Sequence, residues 1–296
     1  MIRSKLFGAL AVLALTVGVI AFIPRSQRKD AEGSKAKIEA VGLAEYGLEI
    51  IDPKHRAYDS FLAAEKKLGS EIPFSVFVVN NNDQAIAACT LKWEILLRDG
   101  QTAAHFNTRT GTLETVSYGG QTYLSEGIVA KGNLRFSLTD SSSDNTPTGA
   151  IFRTGGGPKI TNLLSDSVKV IVSIDGVLFV DGTYAGPDTK NYFEHFKGRL
   201  EANRELDSEI AQLINDGAKP KAVMNHLEKV AKTRSSDVQI PPEEDPQYSF
   251  GKWMQKSSHA RLLLLMIKEK GDQAVLERVY GELSKPPIVL RKLKQS

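Results

Sequence analysis

Hydrophobic and polar positions alternate with a period of two through much of the first two thirds of the chain. The clearest run places Cys89, Leu91 and Trp93 on one face, with polar residues between them. Such alternation predicts β-strands that each bury one face. Turn signals separate these runs, and Asp99-Gly100 is predicted to end the Trp93 strand. Several short strands divided by turns predict an antiparallel β-sandwich.

The Asp175-Gly176 pair stands between two apolar runs. Val170, Val172 and Ile174 alternate before it, and the apolar run 177–180 follows it directly. Two residues that accept positive φ between such runs are typical of a two-residue β-hairpin. The sequence therefore predicts that the chain reverses direction at Asp175-Gly176.

In the last third of the chain the apolar residues recur at helical spacing, and four successive helices are predicted. Asp188 is a candidate N-cap for the first helix, which Asp216-Gly217 is expected to end. Pro220 opens the second helix, and the last two meet at Gly271. A shorter amphipathic helix is expected earlier, beginning at Asp52-Pro53.

An uncharged apolar segment begins at Leu6 and ends at Ile23. Its eighteen helical residues would span about 27 Å, which is enough for the hydrocarbon core of a bilayer. Arg3 and Lys5 precede it, as in an export signal. We expect an uncleaved membrane anchor, because the small-residue pattern of a signal cleavage site is poor. A cleaved secretory signal is the alternative.

The charges around this segment leave its orientation open. More Lys and Arg follow the segment than precede it, which by the positive-inside rule favours a cytoplasmic body. Long domains are nevertheless translocated largely regardless of charge, and we favour export, with the large domain periplasmic or extracellular. The body between residues 37 and 286 is net negative although the whole chain carries +3. A net-negative body argues against nucleic-acid binding.

Together these patterns predict an α+β protein: an antiparallel immunoglobulin-like β-sandwich followed by a helical C-terminal region, with an N-terminal membrane helix. The predicted units are a membrane anchor or signal (1–27), a tether (28–45), the sandwich with one short helix (46–187) and the helical region (188–296).

Two stretches carry a resemblance to a known group of proteins. Residues 74–97 and the phrase V-I-V-S-I-D-G-V-L-F-V-D-G at 170–182 resemble uncharacterised bacterial envelope proteins that contain a β-sandwich. In those proteins a V-x-I-D-G-V-x-F-x-D-G phrase leads into a helix. The Trp93 strand is also similar to that of immunoglobulin-like domains, although the cysteine pair of those domains is absent. The resemblance implies an architecture and no activity.

The search for chemistry identifies no catalytic, cofactor-binding or metal-binding residue. The glycine-rich stretch 154–159 lacks the spacing of a phosphate-binding loop and is expected to be an ordinary loop. Cys89 falls on the apolar face, where a thiol is inert. His195 lies among aromatic residues that are expected to pack on the sheet. A single cysteine excludes an intrachain disulfide.

The function that follows is a membrane-anchored envelope protein whose folded part binds or scaffolds without catalysis. Its expected partners are the membrane, through the N-terminal helix, and a protein of the envelope; no nucleic acid and no cofactor are expected. Two alternatives stay open. One is an envelope hydrolase whose site is assembled only in the tertiary structure, and the other is a membrane-tethered regulator that faces the cytoplasm.

Overall fold

A computed structural model describes residues 37–65, 74–111, 113, 115–118, 121–125, 127–138 and 160–293. This part of the chain is α+β, with strands first and helices in the C-terminal part. The strands are β1 (Ile38–Val41), β2 (Leu48–Ile51), β3 (Ser75–Asn80), β4 (Ile86–Leu97), β5 (Thr102–Thr110), β6 (Thr115–Tyr118), β7 (Gln121–Leu124), β8 (Asn133–Ser137), β9 (Ser167–Phe179), β10 (Thr183–Ala185) and β11 (Arg291–Lys292).

These strands form two sheets and a separate hairpin of β6 and β7. The larger sheet has the order β11-β10-β9-β4-β5, and β1 pairs with β9 beside β10. The smaller sheet has the order β2-β3-β8. Neighbouring strands are antiparallel, as predicted, except that β1 runs parallel to β9 and β11 runs parallel to β10.

The main hydrophobic core lies between the two sheets. Leu91 and Trp93 of β4 are fully buried there, together with Val76 of β3 and Phe136 of β8. The predicted phase of the Trp93 strand is therefore confirmed. At the end of that strand Gly100 has a φ of 85°, which is the conformation that the predicted Asp99-Gly100 turn requires.

The predicted hairpin at Asp175-Gly176 is wrong. β9 runs straight through this pair and stays paired with β4, with Leu91 opposite Ile174 and Thr90 opposite Gly176. Asp175 is thus an extra residue in β9, a β-bulge. The bulge shifts the alternation by one position, so the side chains that lie in the core between the sheets are 170, 172 and 174 before it and 177 and 179 after it. A hairpin turn at Asp175-Gly176 would interrupt the alternation of apolar residues at the same position as the bulge does.

The predicted tether is also wrong for its last residues. Residues 38–41 form β1, and Ile38 is fully buried opposite Val170. This strand has only four residues, and its partner lies more than a hundred residues further along the chain. A local sequence pattern cannot show such a pairing, since the hydrogen bonds that stabilise it come from a distant segment.

The helices are α1 (Tyr58–Glu65), α2 (Ile160–Ser165), α3 (Tyr192–Asn215), α4 (Pro220–Lys232), α5 (Pro246–Lys270) and α6 (Asp272–Ser284). The last four confirm the predicted C-terminal helices, and Gly217 and Gly271 follow their ends with positive φ. The predicted N-cap Asp188 is wrong, because α3 begins at Tyr192 after Asn191. α1 begins later than predicted, because the Asp52 carboxylate first accepts hydrogen bonds from the backbone N–H groups of Lys54 and His55, which forms a turn.

α3 joins the helical region to the larger sheet. Tyr192 and Phe196 in its first turns pack on the outer face of the sheet, against Leu178 and Tyr184. The rest of α3 packs on α5, and the helices share a core of their own around Leu206. The core of the larger sheet therefore lies against the smaller sheet on one face, and the first turns of α3 pack on the other face.

The predicted membrane segment from Leu6 to Ile23 lies outside the described residues, as do the first part of the tether and the glycine-rich stretch 154–159. Within the described residues, no helix is both long and apolar enough to cross a membrane.

Candidate functional site

A cavity of about 110 Å³ opens where α3, α5 and α6 meet the segment that follows α6. α3 supplies one face of the cavity, since residues 200, 203, 204 and 207 recur at helical spacing. α5 and α6 supply most of the remaining polar groups. The lining residues are Leu113, Leu200, Glu201, Asn203, Arg204, Asp207, His259, Arg278, Glu282, Lys285, Pro286, Pro287 and Ile288.

A buried histidine–aspartate pair forms one wall of this cavity. His259 Nε2 of α5 lies 2.8 Å from Asp207 Oδ1 of α3, and the two residues are only 5% and 2% exposed. Each lies next to a buried apolar residue of its own helix, Asp207 beside Leu206 and His259 one turn before Leu263. Because buried polar groups are costly unless they are hydrogen-bonded, each residue stabilises the other in this position.

Arg204 stands at the mouth of the cavity and fixes the end of α6. Its guanidinium donates to the carbonyl oxygen of Lys285 at 3.0 Å and to that of Leu283 at 3.3 Å. These are among the last carbonyls of the helix, which have no partner within the helix itself. A cation at this place also interacts favourably with the negative end of the helix dipole.

The acidic side chains that line the cavity all have partners nearby. Glu201 accepts a hydrogen bond from the Tyr248 hydroxyl, Asp207 lies against His259, and Glu282 pairs with Lys285. In contrast, Arg204 bonds only to neutral carbonyls, and among the described residues no carboxylate forms an ion pair with it. Among the described residues, Arg204 is therefore a lining cation that no carboxylate contacts directly, although Glu201, Asp207 and Glu282 line the same cavity.

A second arginine lies behind the cavity. Arg199 of α3 is 5% exposed, and its Nε donates to Gln255 Oε1 at 2.9 Å. Gln255 in turn donates to Asn203 Oδ1, which lines the cavity. Burial lowers the pKa of the Arg199 guanidinium to about 10, so the side chain stays charged at neutral pH. This buried cation adds positive potential on the α3 side of the cavity.

The chemistry of the lining supports binding better than covalent catalysis. Arginine is the side chain best suited to a carboxylate, because its planar fork can donate two parallel hydrogen bonds. None of the described lining residues is a serine, threonine or cysteine. A hydrolytic reaction here would need water as the nucleophile and the His259–Asp207 pair as the base.

The residues that the sequence analysis weighed and set aside lie elsewhere. Cys89 is fully buried in the core between the two sheets, and burial raises the pKa of its thiol to about 12. The side chain of His195 on α3 is 3% exposed and lies among the rings of Tyr192, Phe196 and Phe250. Burial, assisted by the positive charge of Arg199, lowers the pKa of His195 to about 3. Both lie in the positions that were predicted.

Asp175 has a structural role, because it connects the bulge of β9 to the loop before α3. Its Oδ1 accepts hydrogen bonds from the backbone N–H and the hydroxyl of Thr189, which ties the loop before α3 to the sheet. Burial raises the pKa of the Asp175 carboxyl above its ordinary value, and the hydrogen bonds from Thr189 oppose that shift. In the described part of the chain, no three His, Cys, Asp or Glu side chains come together as metal ligands.

The cavity residues are not predicted from the sequence. Asp207 and His259 are 52 positions apart on different helices, so no local motif connects them. The available signal was a polar residue next to each apolar stripe, at Asp207 beside Leu206 and at His259 beside Ala260. A polar residue on a buried helix face indicates a hydrogen-bonding partner elsewhere in the fold, but the sequence does not identify that partner.

No protein-family model, curated protein or solved structure matches this chain. The resemblance to bacterial envelope proteins therefore stays a prediction from the two stretches that carry it, and function is argued from the cavity.

Proposed function

We propose that this chain is an envelope protein tethered to a membrane through residues 6–23, and that its folded part is a binding module without catalysis. The cavity beside Arg204 is the proposed binding site, and a small organic carboxylate is the proposed ligand. The observation that carries this proposal is the charge of Arg204, which faces the cavity and has no acidic partner among the described residues.

The size of the cavity supports a small ligand. About 110 Å³ is well below the roughly 300–1,000 Å³ of pockets that hold drug-sized molecules. Apolar side chains, including Leu200 and Ile288, share the lining with the charged groups. An acid with a short hydrocarbon part would place its carboxylate at Arg204 and its carbons against these residues. The immunoglobulin-like character of the sandwich is part of the same proposal, and Trp93 in the core between the two sheets supports it.

The experiment is a thermal-shift and calorimetric titration of the full chain in mild detergent with carboxylates from acetate to succinate. We expect at least one of these acids to bind and to raise the melting temperature, because ligands that bind only the native state stabilise it. Arg204→Gln should abolish this response while the variant stays folded.

Arg261→Gln is the matched control. Arg261 also donates to a helix carbonyl, that of Ala231 at the end of α4, but it does not line the cavity. This variant loses a comparable contact between helices and should keep the response to carboxylate. If no acid binds the wild-type chain, or if both variants respond as the wild type does, the proposal is wrong.

An envelope hydrolase is the second candidate, and the His259–Asp207 pair in the cavity wall favours it. An aspartate that holds a histidine in one orientation is a recurring arrangement for a general base. Turnover of ester or amide substrates by the full chain, lost in His259→Gln with the fold intact, would support this candidate. If none of a broad panel of esters and amides is hydrolysed, the hydrolase is rejected and a binding module without catalysis stays the proposed function.

Location is tested separately from binding. An exported body should be cut by added protease in spheroplasts but not in intact cells of a Gram-negative host. A membrane-tethered regulator that faces the cytoplasm would be protected in both. Cross-linking followed by purification from solubilised membranes would identify the protein partner proposed for the envelope.

A further inference from the structure

The C-terminal strand β11 returns from the helical region and adds itself to the edge of the larger sheet. After α6 ends at Ser284, residues 285–290 lead back to β10. The Arg291 N–H donates to the carbonyl of Gly182 at 3.0 Å, and the Leu293 N–H donates to that of Tyr184 at 2.8 Å. β11 is thus a short parallel strand at the edge of the sheet.

The side chain of Lys292 is bound in a formed pocket. Its Nζ lies 2.6 Å from Asp188 Oδ2, and it is 6.0 Å from the ring centroid of Tyr184 and 5.9 Å from that of Phe193. The two rings meet edge to face, with 5.6 Å between their centroids. An ammonium group between a carboxylate and aromatic faces is held by ion pairing and by cation–π attraction.

The pocket is assembled independently of the lysine that occupies it. The Asp188 side chain is fully buried, and its other oxygen, Oδ1, accepts hydrogen bonds from the Tyr184 hydroxyl at 3.0 Å and from the Phe193 N–H at 3.3 Å. The protein therefore orients the carboxylate through one oxygen and leaves the other for a cation. A buried carboxylate without a cation is costly, so this site requires one.

In contrast, β11 itself is held by few contacts, whereas Ile288 and Leu290 before it pack against the core around Tyr184. Val289 is 67% exposed, Leu293 is 41% exposed, and the Lys292 side chain itself is 42% exposed. Two backbone hydrogen bonds and the lysine contacts hold a strand of two residues. An extended peptide from another molecule could make the same contacts, because adding a strand to a sheet edge needs only backbone groups and one matching side chain.

We propose that the Asp188 pocket and the adjoining edge of β10 form a binding site for an extended, lysine-bearing segment of a partner protein, and that the C-terminal strand of this chain occupies it as an intramolecular ligand. The partner would present a lysine to Asp188 and would add its backbone to β10 after displacing β11. Pro286, Pro287 and Ile288, which precede β11, line the cavity beside Arg204, but Asp188, Tyr184 and Phe193 do not, so binding of a lysine at Asp188 requires no carboxylate in that cavity.

The test measures binding of a fluorescent peptide with the sequence of residues 286–296 to the full chain in mild detergent. In the Lys292→Ala variant the resident lysine is gone, and we expect this variant to bind the peptide about tenfold more tightly than the wild type does. A peptide with glutamine in place of the lysine that corresponds to Lys292 should not bind either protein.

Two further variants separate the pocket from a general effect on the tail. Arg291→Ala removes the neighbouring cation of the same strand, whose side chain alternates to the other face, and should bind the peptide as the wild type does. Asp188→Asn, introduced into the Lys292→Ala variant, should abolish binding. Asparagine tolerates the φ of 57° at this position, so circular dichroism should show an intact fold.

Equal binding of the lysine and glutamine peptides, or no binding to Lys292→Ala, would overturn the proposal and leave β11 a structural strand. A concentration-dependent dimer of the wild type that Lys292→Ala abolishes would also overturn it, since the occupant would then be the tail of a second copy. The proposal is supported only if Lys292→Ala binds the lysine peptide more tightly than the wild type does and does not bind the glutamine peptide. Adding Asp188→Asn must then abolish this binding.

Discussion

At the scale of single residues, Gly176 shows how tertiary packing can decide the meaning of a local signal. The Asp175-Gly176 pair is a common turn sequence, yet here the glycine lies within a strand and does not have positive φ. A Cβ at this position would lie 1.8 Å from the Tyr184 hydroxyl oxygen. Glycine is required here because a side chain would collide with Tyr184 of β10, and not because the backbone makes a turn.

We predict that Gly176→Ala destabilises the protein by about 1–3 kcal/mol, as overpacking in a closed core does. Urea denaturation measures the loss. Tyr184→Phe removes the clashing oxygen, so the double variant Gly176→Ala/Tyr184→Phe should lose less than the two single variants together. Wild-type stability in Gly176→Ala would show that the strand can shift away from Tyr184 at no cost.

A second prediction concerns His195 and pH. Burial, followed by the charge of Arg199, lowers the pKa of His195 from 6.5 to about 3 in the folded protein. The unfolded chain therefore takes up a proton at higher pH than the folded chain does. By linkage, the stability that neutral His195 allows is fully present above pH 6.5 and is lost as the pH falls from 6.5 towards 3.

The measurement is the free energy of unfolding of the wild type and of His195→Gln across this pH interval. The variant cannot titrate at this position, so its stability should fall less steeply on acidification. His226→Gln is the control, because His226 is half-buried beside Glu209 and not enclosed in the core. Parallel curves for the wild type and His195→Gln would mean that His195 becomes protonated without cost in the folded state.

At the scale of elements, the sequence predicts well where local pattern and packing agree. The alternation of β4 correctly placed Trp93 in the core, and the glycines at 217 and 271 correctly marked the C-terminal ends of α3 and α5. The sequence pattern does not predict β1 or β11. These strands have four and two residues and are stabilised by strands more than a hundred positions away. Short strands carry too few residues for a recognisable period.

The close contact between α3 and α5 is an element-scale feature that depends on glycine. A Cβ at Gly198 would lie 2.1 Å from the carbonyl oxygen of Tyr248, and one at Gly251 would lie 2.2 Å from that of His195. Both neighbouring atoms belong to helix backbones, which cannot move aside as a flexible side chain can. The two glycines therefore set the distance at which the axes of these helices pack.

We predict that Gly198→Ala destabilises the protein by about 1–3 kcal/mol because the helices must separate. Gly281→Ala in α6 is the matched control, since a Cβ there would meet no atom within 4 Å. This second change should stabilise the protein by up to about 1 kcal/mol through the higher helix propensity of alanine. Thermal unfolding of both variants separates the two effects. A stabilised Gly198→Ala would mean that helix propensity outweighs the contact.

At the scale of the whole molecule, the candidate site arises from the assembly of the layers. The cavity combines residues from three helices, from the loop residue Leu113 and from the segment after α6. Only the fold brings Asp207 and His259 together, although each could be recognised in the sequence as a polar residue on an apolar stripe. The pocket around Lys292 likewise joins Asp188 to a residue 104 positions away.

The attachment of the whole molecule to a membrane is the last prediction. If residues 6–23 form an uncleaved anchor, the mature protein should retain Met1 and should stay with the membrane after carbonate extraction. Leu13→Arg places a charge near the middle of the segment and opposes insertion by about 2.5–3.5 kcal/mol, so part of the protein should move to the soluble fraction.

Leu13→Val is the matched control and should stay membrane-bound, because it keeps the segment apolar. Mass spectrometry decides between the anchor and a cleaved signal. A new N-terminus near Phe22 would mean that the segment is removed after export, and the protein would then be released without its proposed tether. Both candidate sites lie in the folded body, so the carboxylate site and the lysine pocket would keep their contacts in a secreted protein. Only their distance from the membrane would change.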